Sequence, residues 1–205
     1  SVYTGLIEQG GSRRGATMLM MWDWHPDILE FIEAKSQAGE FENVNMSVCI
    51  SDTFMKALKE DGMWDLIFPA TTHEKYDEEW DGNIKAWKDK GYPVVVYDTI
   101  KASRIWDRLI ECAWASAEPG LHFLDRSNKM SNSYYFAPLV ATNPCGEQPL
   151  EANGVCTLGS IDLSRFVVND RSTGYEPVVD WNRLLNVIHT SVRFLDNVID
   201  VNNYH

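Results

Sequence analysis

Between residues 16 and 58 the chain alternates apolar runs with helical stripes, and this β-α-β-α rhythm restricts it to an α/β architecture. Residues 16–22, Ala-Thr-Met-Leu-Met-Met-Trp, are a short continuous apolar run after a glycine-rich turn, which predicts a buried strand. Asp23-Trp-His-Pro26 predicts a helix start, with Asp23 or His25 near the cap and Pro26 at the first helical position. Ile28, Leu29, Phe31 and Ile32 supply that helix's apolar stripe, which ends near Ser36 to Gly39. Residues 44–50 alternate apolar and polar as a half-buried strand, and Ser51-Asp52 cap a helix carrying Phe54, Met55 and Leu58.

The rest of the chain continues in mixed elements. Residues 61–92 are acidic and carry Trp64, Trp80 and Trp87 among many charges, reading as an excursion of short strands and a helix. Residues 92–97 read as a strand or as an extended lead-in to the next helix. That helix is predicted over 99–117 from Ile105, Leu109, Ile110, Ala113 and Trp114, and Glu118-Pro-Gly120 stops it. Residues 121–124 predict another short strand. A last long helix starts from an Asp180 cap and places Leu184, Leu185, Ile188, Val192, Leu195, Val198 and Ile199 on one broad apolar face. No internal repeat and no linker divides the 205 residues.

Eighteen basic against thirty acidic side chains leave a net charge of -12. A basic phosphate-tracking surface is excluded, so DNA and RNA polymers are poor partners, and any phosphate site must be local. No stretch approaches the roughly 18 apolar residues of a membrane span, and the first residues lack the apolar core of a signal peptide. A cytoplasmic chain without membrane association is therefore expected. The four cysteines, Cys49, Cys112, Cys145 and Cys156, form no CxxC pair and match no zinc spacing with the five histidines, so no metal site is expected. They are either buried bystanders or reactive thiols.

The most informative stretch is Ala141-Thr-Asn-Pro-Cys-Gly-Glu-Gln-Pro-Leu150. Two prolines and a glycine within six residues forbid a helix and a central ladder strand, so the segment is extended or looped. In an extended backbone Asn143, Cys145 and Glu147 project to one side, presenting an amide, a thiol and a carboxylate together. The amide serves to bond a substrate hydroxyl, the carboxylate serves as a base, and the thiol serves redox or radical chemistry. On these residues alone, a turn around a buried cysteine is the competing reading. Eleven residues on, Cys156 lies in Gly154-Val-Cys-Thr-Leu-Gly-Ser160, which reads as a short apolar strand.

Asn143-Pro-Cys-Gly-Glu147 together with Cys156-Thr-Leu-Gly-Ser-Ile-Asp-Leu163 resembles the finger-loop region of the ribonucleotide reductase catalytic subunit, most closely its adenosylcobalamin-dependent class II. Gly10-Gly-Ser-Arg-Arg-Gly-Ala16, His25-Pro-Asp27, Val44-Asn-Met-Ser-Val48 and Pro119-Gly-Leu-His-Phe-Leu-Asp125 resemble further stretches of that family in the same order. The resemblance implies a ten-stranded α/β barrel with a central finger loop at about 141–150. Residues 1–205 would form one incomplete domain, the central part of a longer catalytic chain that is inactive alone.

Carried over residue by residue, the resemblance makes Cys145 the transient thiyl radical and Glu147 the general base on the ribose 3′ hydroxyl. Asn143 would bond the substrate hydroxyls, and Cys156 would be one of two reductant cysteines. Gly10 and Gly11 would approach the substrate, beside Arg13 and Arg14, which would hold an anion or pack the barrel. Ser36, Gln37, Gly39 and Glu40 would belong to a specificity loop reading a deoxynucleotide effector, although a solvated connecting loop has the same composition. Adenosylcobalamin is the implied cofactor, with its binding residues mostly elsewhere. The implied partners are a ribonucleoside di- or triphosphate, a thioredoxin-like or other dithiol reductant, and missing barrel segments or a second copy. A separately encoded piece of a split reductase and a class I catalytic subunit are the alternatives. Cys49 and Cys112 match no required thiol and are expected to be inert.

Overall fold

The computed structural model describes residues 8–9, 13–36, 44–169, 172, 174 and 176–203. Gly10, Gly11, Gln37, Gly39 and Glu40 lie outside these described residues. Two compact units form, Ser1–Asn153 and Gly154–His205.

The first unit opens with the antiparallel pair β1 (Glu8–Gln9) and β2 (Arg13–Arg14). Its frame is a parallel sheet in the order β3 (Thr17–Trp22), β4 (Val44–Cys49), β7 (Gly120–His122). Parallel strands require crossovers. The first runs through helix α1 (Ile28–Glu33); the second holds α2 (Asp52–Lys59), the excursion and α5 (Ala102–Ser116). The excursion is an antiparallel pair, β5 (Met63–Pro69) and β6 (Val94–Lys101), joined through two short helices, α3 (Tyr76–Glu79) and α4 (Ile84–Asp89). Two of its tryptophans pack together, Trp87 being buried, meeting Trp80 edge-on and donating from Nε1 to the Pro93 carbonyl at 2.9 Å, while Trp64 joins the main core edge-on to Phe54. The chain then forms α6 (Leu124–Met130) and the hairpin β8 (Leu139–Thr142) and β9 (Pro149–Glu151).

The two faces of the parallel sheet are chemically different. Val48 and Met21 turn toward Ile32, Phe54, Ile105 and Leu109, so α1, α2 and α5 cover that face with the main apolar core. Cys49, Met20 and Trp22 turn the other way, toward Leu124 and Leu139. Register pairs Met18 with Asn45, Met20 with Ser47 and Trp22 with Cys49, so these six side chains share the second face. Because β4 is the central strand and is covered on both faces, every residue in it except Asn45 is buried. This corrects the half-buried strand expected from its alternation, which distinguishes the two covered faces.

Helix α2 starts where its sequence predicts: Ser51 Oγ accepts the Phe54 N–H at 3.0 Å. Helix α1 starts two residues later than Pro26 predicts. The His25 N–H donates to the Trp22 carbonyl and the Asp27 N–H donates to His25 Nδ1, so residues 23–27 turn before the helix begins. Ser36 closes its other end, donating from its hydroxyl to the Glu33 carbonyl at 2.6 Å.

In the second unit a 3-10 turn (Leu163–Phe166) leads into an antiparallel pair, β10 (Val167–Asn169) and β11 (Pro177–Val179). Helix α7 (Trp181–Val201) follows with the expected cap, Asp180 Oδ1 accepting the Arg183 N–H at 3.0 Å. The strand expected at residues 154–160 does not form. The segment has no ladder partner among the described residues, and glycines at 154 and 159 leave little side chain to hold it in a sheet.

The architecture is mixed α/β, as expected. Among the described residues the strands fall into one three-stranded and four two-stranded sheets, and none closes into a barrel. The outer edges of β3 and β7 have no partner strand among these residues. No helix among them is long and apolar enough to cross a membrane.

Candidate active site

The segment that carries Cys145 is the connection of the β8–β9 hairpin. Thr142 pairs with Pro149, and the six residues between them close on themselves. The Gly146 N–H donates to the Asn143 carbonyl at 3.0 Å, a β-turn with Pro144 and Cys145 at its centre. Proline is pre-set for the first central position of such a turn, and Gly146 takes φ +85, a left-handed conformation that glycine adopts without a Cβ penalty. The Asn143 N–H donates to the Gln148 carbonyl at 3.1 Å, and Gln148 returns its own N–H to Asn143 Oδ1 at 3.0 Å. The extended backbone expected to set Asn143, Cys145 and Glu147 on one side is therefore replaced by a tight turn.

The turn nevertheless keeps alternate contacts, because it lies on the second face of the sheet. Thr142 is buried and directs its hydroxyl at Met20 Sδ, 3.8 Å away. The Pro144 carbonyl accepts from Asn45 Nδ2 at 2.5 Å. A Cβ on Gly146 would lie 4.0 Å from Met18 Cε. The residues touching the sheet are thus 142, 144 and 146. Between and after them, Cys145 and Glu147 are exposed and Asn143 is half-buried. Asn143 spends its Oδ1 on the turn, so the amide has its Nδ2 hydrogens left to donate.

Cys49 and Cys112 are buried. Burial, with the Asp23 and Asp125 carboxylates nearby, pushes the Cys49 thiol up to about 12, so it stays protonated and unreactive. Cys156 is exposed, in the irregular segment of the second unit. Ser36 is exposed, and its hydroxyl is engaged in the end of α1. Among the described residues no His, Cys, Asp and Glu cluster suits a metal ion.

Sequence reading did not single out Asn45, Met18 or Met20, which bring the hairpin onto the sheet. The signal was present in the alternation of residues 44–50, which sets Asn45, Ser47 and Cys49 on one face. Asp23 also stood only as a candidate cap. It is fully buried, its Oδ2 accepts the Ser51 N–H at 2.6 Å, and its Oδ1 has no partner among the described residues. Desolvation raises its carboxyl from 3.8 to about 7, against the lowering effect of the Ser51 hydrogen bonds.

A groove of about 570 Å³ lies at α1 and α5, on the helix-covered side rather than beside Cys145. Glu33, Arg104, Asp107, Arg108 and Glu111 line it, and Arg108 already bridges Glu33 and Glu111 at 2.6 Å each. This charged lining does not suit a corrinoid, which needs a broad apolar face to lie against.

The family described as ribonucleotide reductase, barrel domain, matches residues 2–205. The vitamin B12-dependent ribonucleoside-diphosphate reductase of Thermoplasma acidophilum is 38% identical over 204 residues, covering 99% of this chain and 23% of the relative. That of Mycobacterium tuberculosis (strain ATCC 25618 / H37Rv) is 36% identical over 201 residues, covering 98% and 24%. The ribonucleoside-diphosphate reductase subunit alpha of Chlamydia pneumoniae is 30% identical over 211 residues, covering 97% and 20%. The chain spans about a quarter of the length of the B12-dependent relatives it matches.

Proposed function

Because this chain belongs to the ribonucleotide reductase barrel-domain family, we propose that it supplies the substrate-reducing loop of a B12-dependent ribonucleoside-diphosphate reductase. The observation that carries this reading is the hairpin turn that exposes Cys145 between Asn143 and Glu147 while its alternate residues rest on a parallel sheet. The sheet is proposed as a segment of the family's ten-stranded barrel, with the turn as its finger loop. The outer edges of β3 and β7, without a partner strand among the described residues, and the sulfur-rich second face support that placement.

In the proposed reaction Cys145, as a thiyl radical, takes the hydrogen atom from ribose C3′ and becomes a thiol. Glu147 takes the 3′ hydroxyl proton, being the carboxylate on the loop within two residues of the thiol. Asn143 donates from Nδ2 to a ribose hydroxyl oxygen, the role left to it once Oδ1 holds Gln148. The 2′ oxygen leaves as water. Cys156 and a second thiol give up two electrons and two protons as they become a disulfide, one proton leaving with the 2′ oxygen as water and the other ending on C2′. Glu147 returns its proton to the 3′ oxygen, and Cys145 returns its hydrogen atom to C3′ and is again a thiyl radical. Adenosylcobalamin is implied by the names of the B12-dependent relatives. The charged groove at α1 and α5 does not fit a corrinoid.

The test is reduction of CDP by the full-length protein with adenosylcobalamin and dithiothreitol. Formation of dCDP is expected, abolished by Cys145→Ser and lowered about 10²- to 10⁴-fold by Glu147→Gln. Undiminished turnover by Cys145→Ser would overturn the reading. Turnover that requires a second, radical-bearing subunit and ignores the cobalamin would move the protein to the class I type.

A further inference from the structure

We propose that Asn45 is a positioning residue for Cys145: its amide fixes the peptide plane that enters the cysteine. The inference rests on the reading of Cys145 given above. Asn45 is the one residue of β4 that is not buried, and it lies on the face that receives the hairpin. An amide in a strand covered on both sides is costly unless it is bonded. Its Nδ2 donates to the Pro144 carbonyl at 2.5 Å, across 99 positions of sequence.

The consequence follows from peptide geometry. The Pro144–Cys145 bond is trans, so the Pro144 carbonyl and the Cys145 N–H point to opposite sides of one plane. Holding the carbonyl against β4 directs the Cys145 N–H away from the sheet, where it has no acceptor among the described residues. It also sets the starting direction of the Cys145 side chain. Met18, the register neighbour of Asn45, lies under Gly146. Adjacent ladder positions therefore hold the residues immediately before and after the cysteine. A hydrogen-atom transfer is steep in distance and angle, so orientation of this peptide governs the chemical step more than the binding of substrate.

Asn45→Asp separates this role from packing. The carboxylate has nearly the shape of the amide, but when ionised it only accepts, and it faces another acceptor. Asn45→Ser removes the donor's reach without adding charge, and serves if the aspartate variant fails to fold. In the full-length protein both variants are expected to lower kcat about 10- to 100-fold with KM within about twofold. Amide hydrogen exchange at Gly146 and alkylation of Cys145 by iodoacetamide, mapped by mass spectrometry, are expected to quicken about fivefold, as befits a lost neutral hydrogen bond.

A packing role alone predicts an aspartate variant close to wild type in every readout, and that result overturns the proposal. So does a change in loop exchange without a fall in kcat, a fall in kcat without a change in the loop, or a rise in KM alone. If Cys145→Ser itself leaves turnover intact, the reading of the cysteine has failed instead. The loop measurements then still report whether Asn45 holds the turn.

Discussion

Asp23→Asn isolates the most perturbed carboxyl among the described residues of the first unit. Asp23 follows β3, is fully buried, and offers Oδ2 to the Ser51 N–H while Oδ1 is unpartnered among the described residues. Burial raises it from 3.8 to about 7, and the Asp125 charge adds to the rise. The folded state therefore keeps a proton that the unfolded chain releases near 3.8. The resulting stability is fully present below that value and is lost as pH rises through about 7. At about 1.4 kcal/mol per pH unit, the full loss is about 4 kcal/mol. Of this, about 2–3 kcal/mol falls between pH 5 and pH 8. Asparagine is neutral throughout and keeps an acceptor for Ser51, while its NH₂ adds a buried unpaired donor at a cost of about 1–3 kcal/mol at every pH. The fixed cost cancels when the same pair is compared at two pH values. His25 and His122 are both lowered by burial, so they act in the opposite direction and lose stability as pH falls below 6.5. They cancel in the difference as well. Urea unfolding of wild type and Asp23→Asn at pH 5, 6, 7 and 8 should show the variant gaining about 2–3 kcal/mol relative to wild type across the range. Parallel stability curves would refute the buried, proton-holding carboxyl.

Ser51→Ala removes the side-chain cap of α2 and should cost about 1 kcal/mol in the same urea assay. Iodoacetamide on the native protein should label Cys145 and Cys156 rapidly, and Cys49 and Cys112 only after denaturation; peptide masses decide. Gly146→Ala should destabilise by about 1–2 kcal/mol through its positive φ rather than through a clash, since the new methyl meets Met18 at an ordinary 4.0 Å. A variant as stable as wild type in urea would mean that the turn relaxes to another shape.

The elements that were legible in the sequence are those written in local periods and caps. The position of strand β3, the Ser51 start of α2, α5 before its Glu118-Pro stop, and the long helix from Asp180 all depend on neighbours within a few residues. The burial expected of β3 does not, and the strand is half-buried with Leu19 exposed. The misread ones depend on distant partners. Residues 154–160 carry a strand's composition without a ladder partner among the described residues, and β4 alternates like a surface strand although it is covered on both faces. The start of α1 was misplaced because His25 bonds Asp27 and turns the chain before the helix.

The site shows the same division. The burial of Cys49 and Cys112 agrees with the expectation of inert core thiols, whereas the turn that exposes Cys145 rests on a partner of Pro144 that lies 99 residues away. Yet the alternation that misled about burial records that contact. A central parallel strand can fill both faces with aliphatic side chains, as near-continuous apolar runs do elsewhere. Here one face of β4 carries Asn45, Ser47 and Cys49, opposite Met18, Met20 and Trp22 of β3. Gly120 leaves room for Ser47: a Cβ on it would come within 2.8 Å of the Ser47 hydroxyl oxygen. Cys49 packs against Leu124 and Leu139. Asn45 reaches the hairpin, and a purely apolar residue at that position would leave the Pro144 carbonyl without its donor. The polar half of the strand's alternation thus marks the side on which the cysteine turn is seated, where helices cover the other.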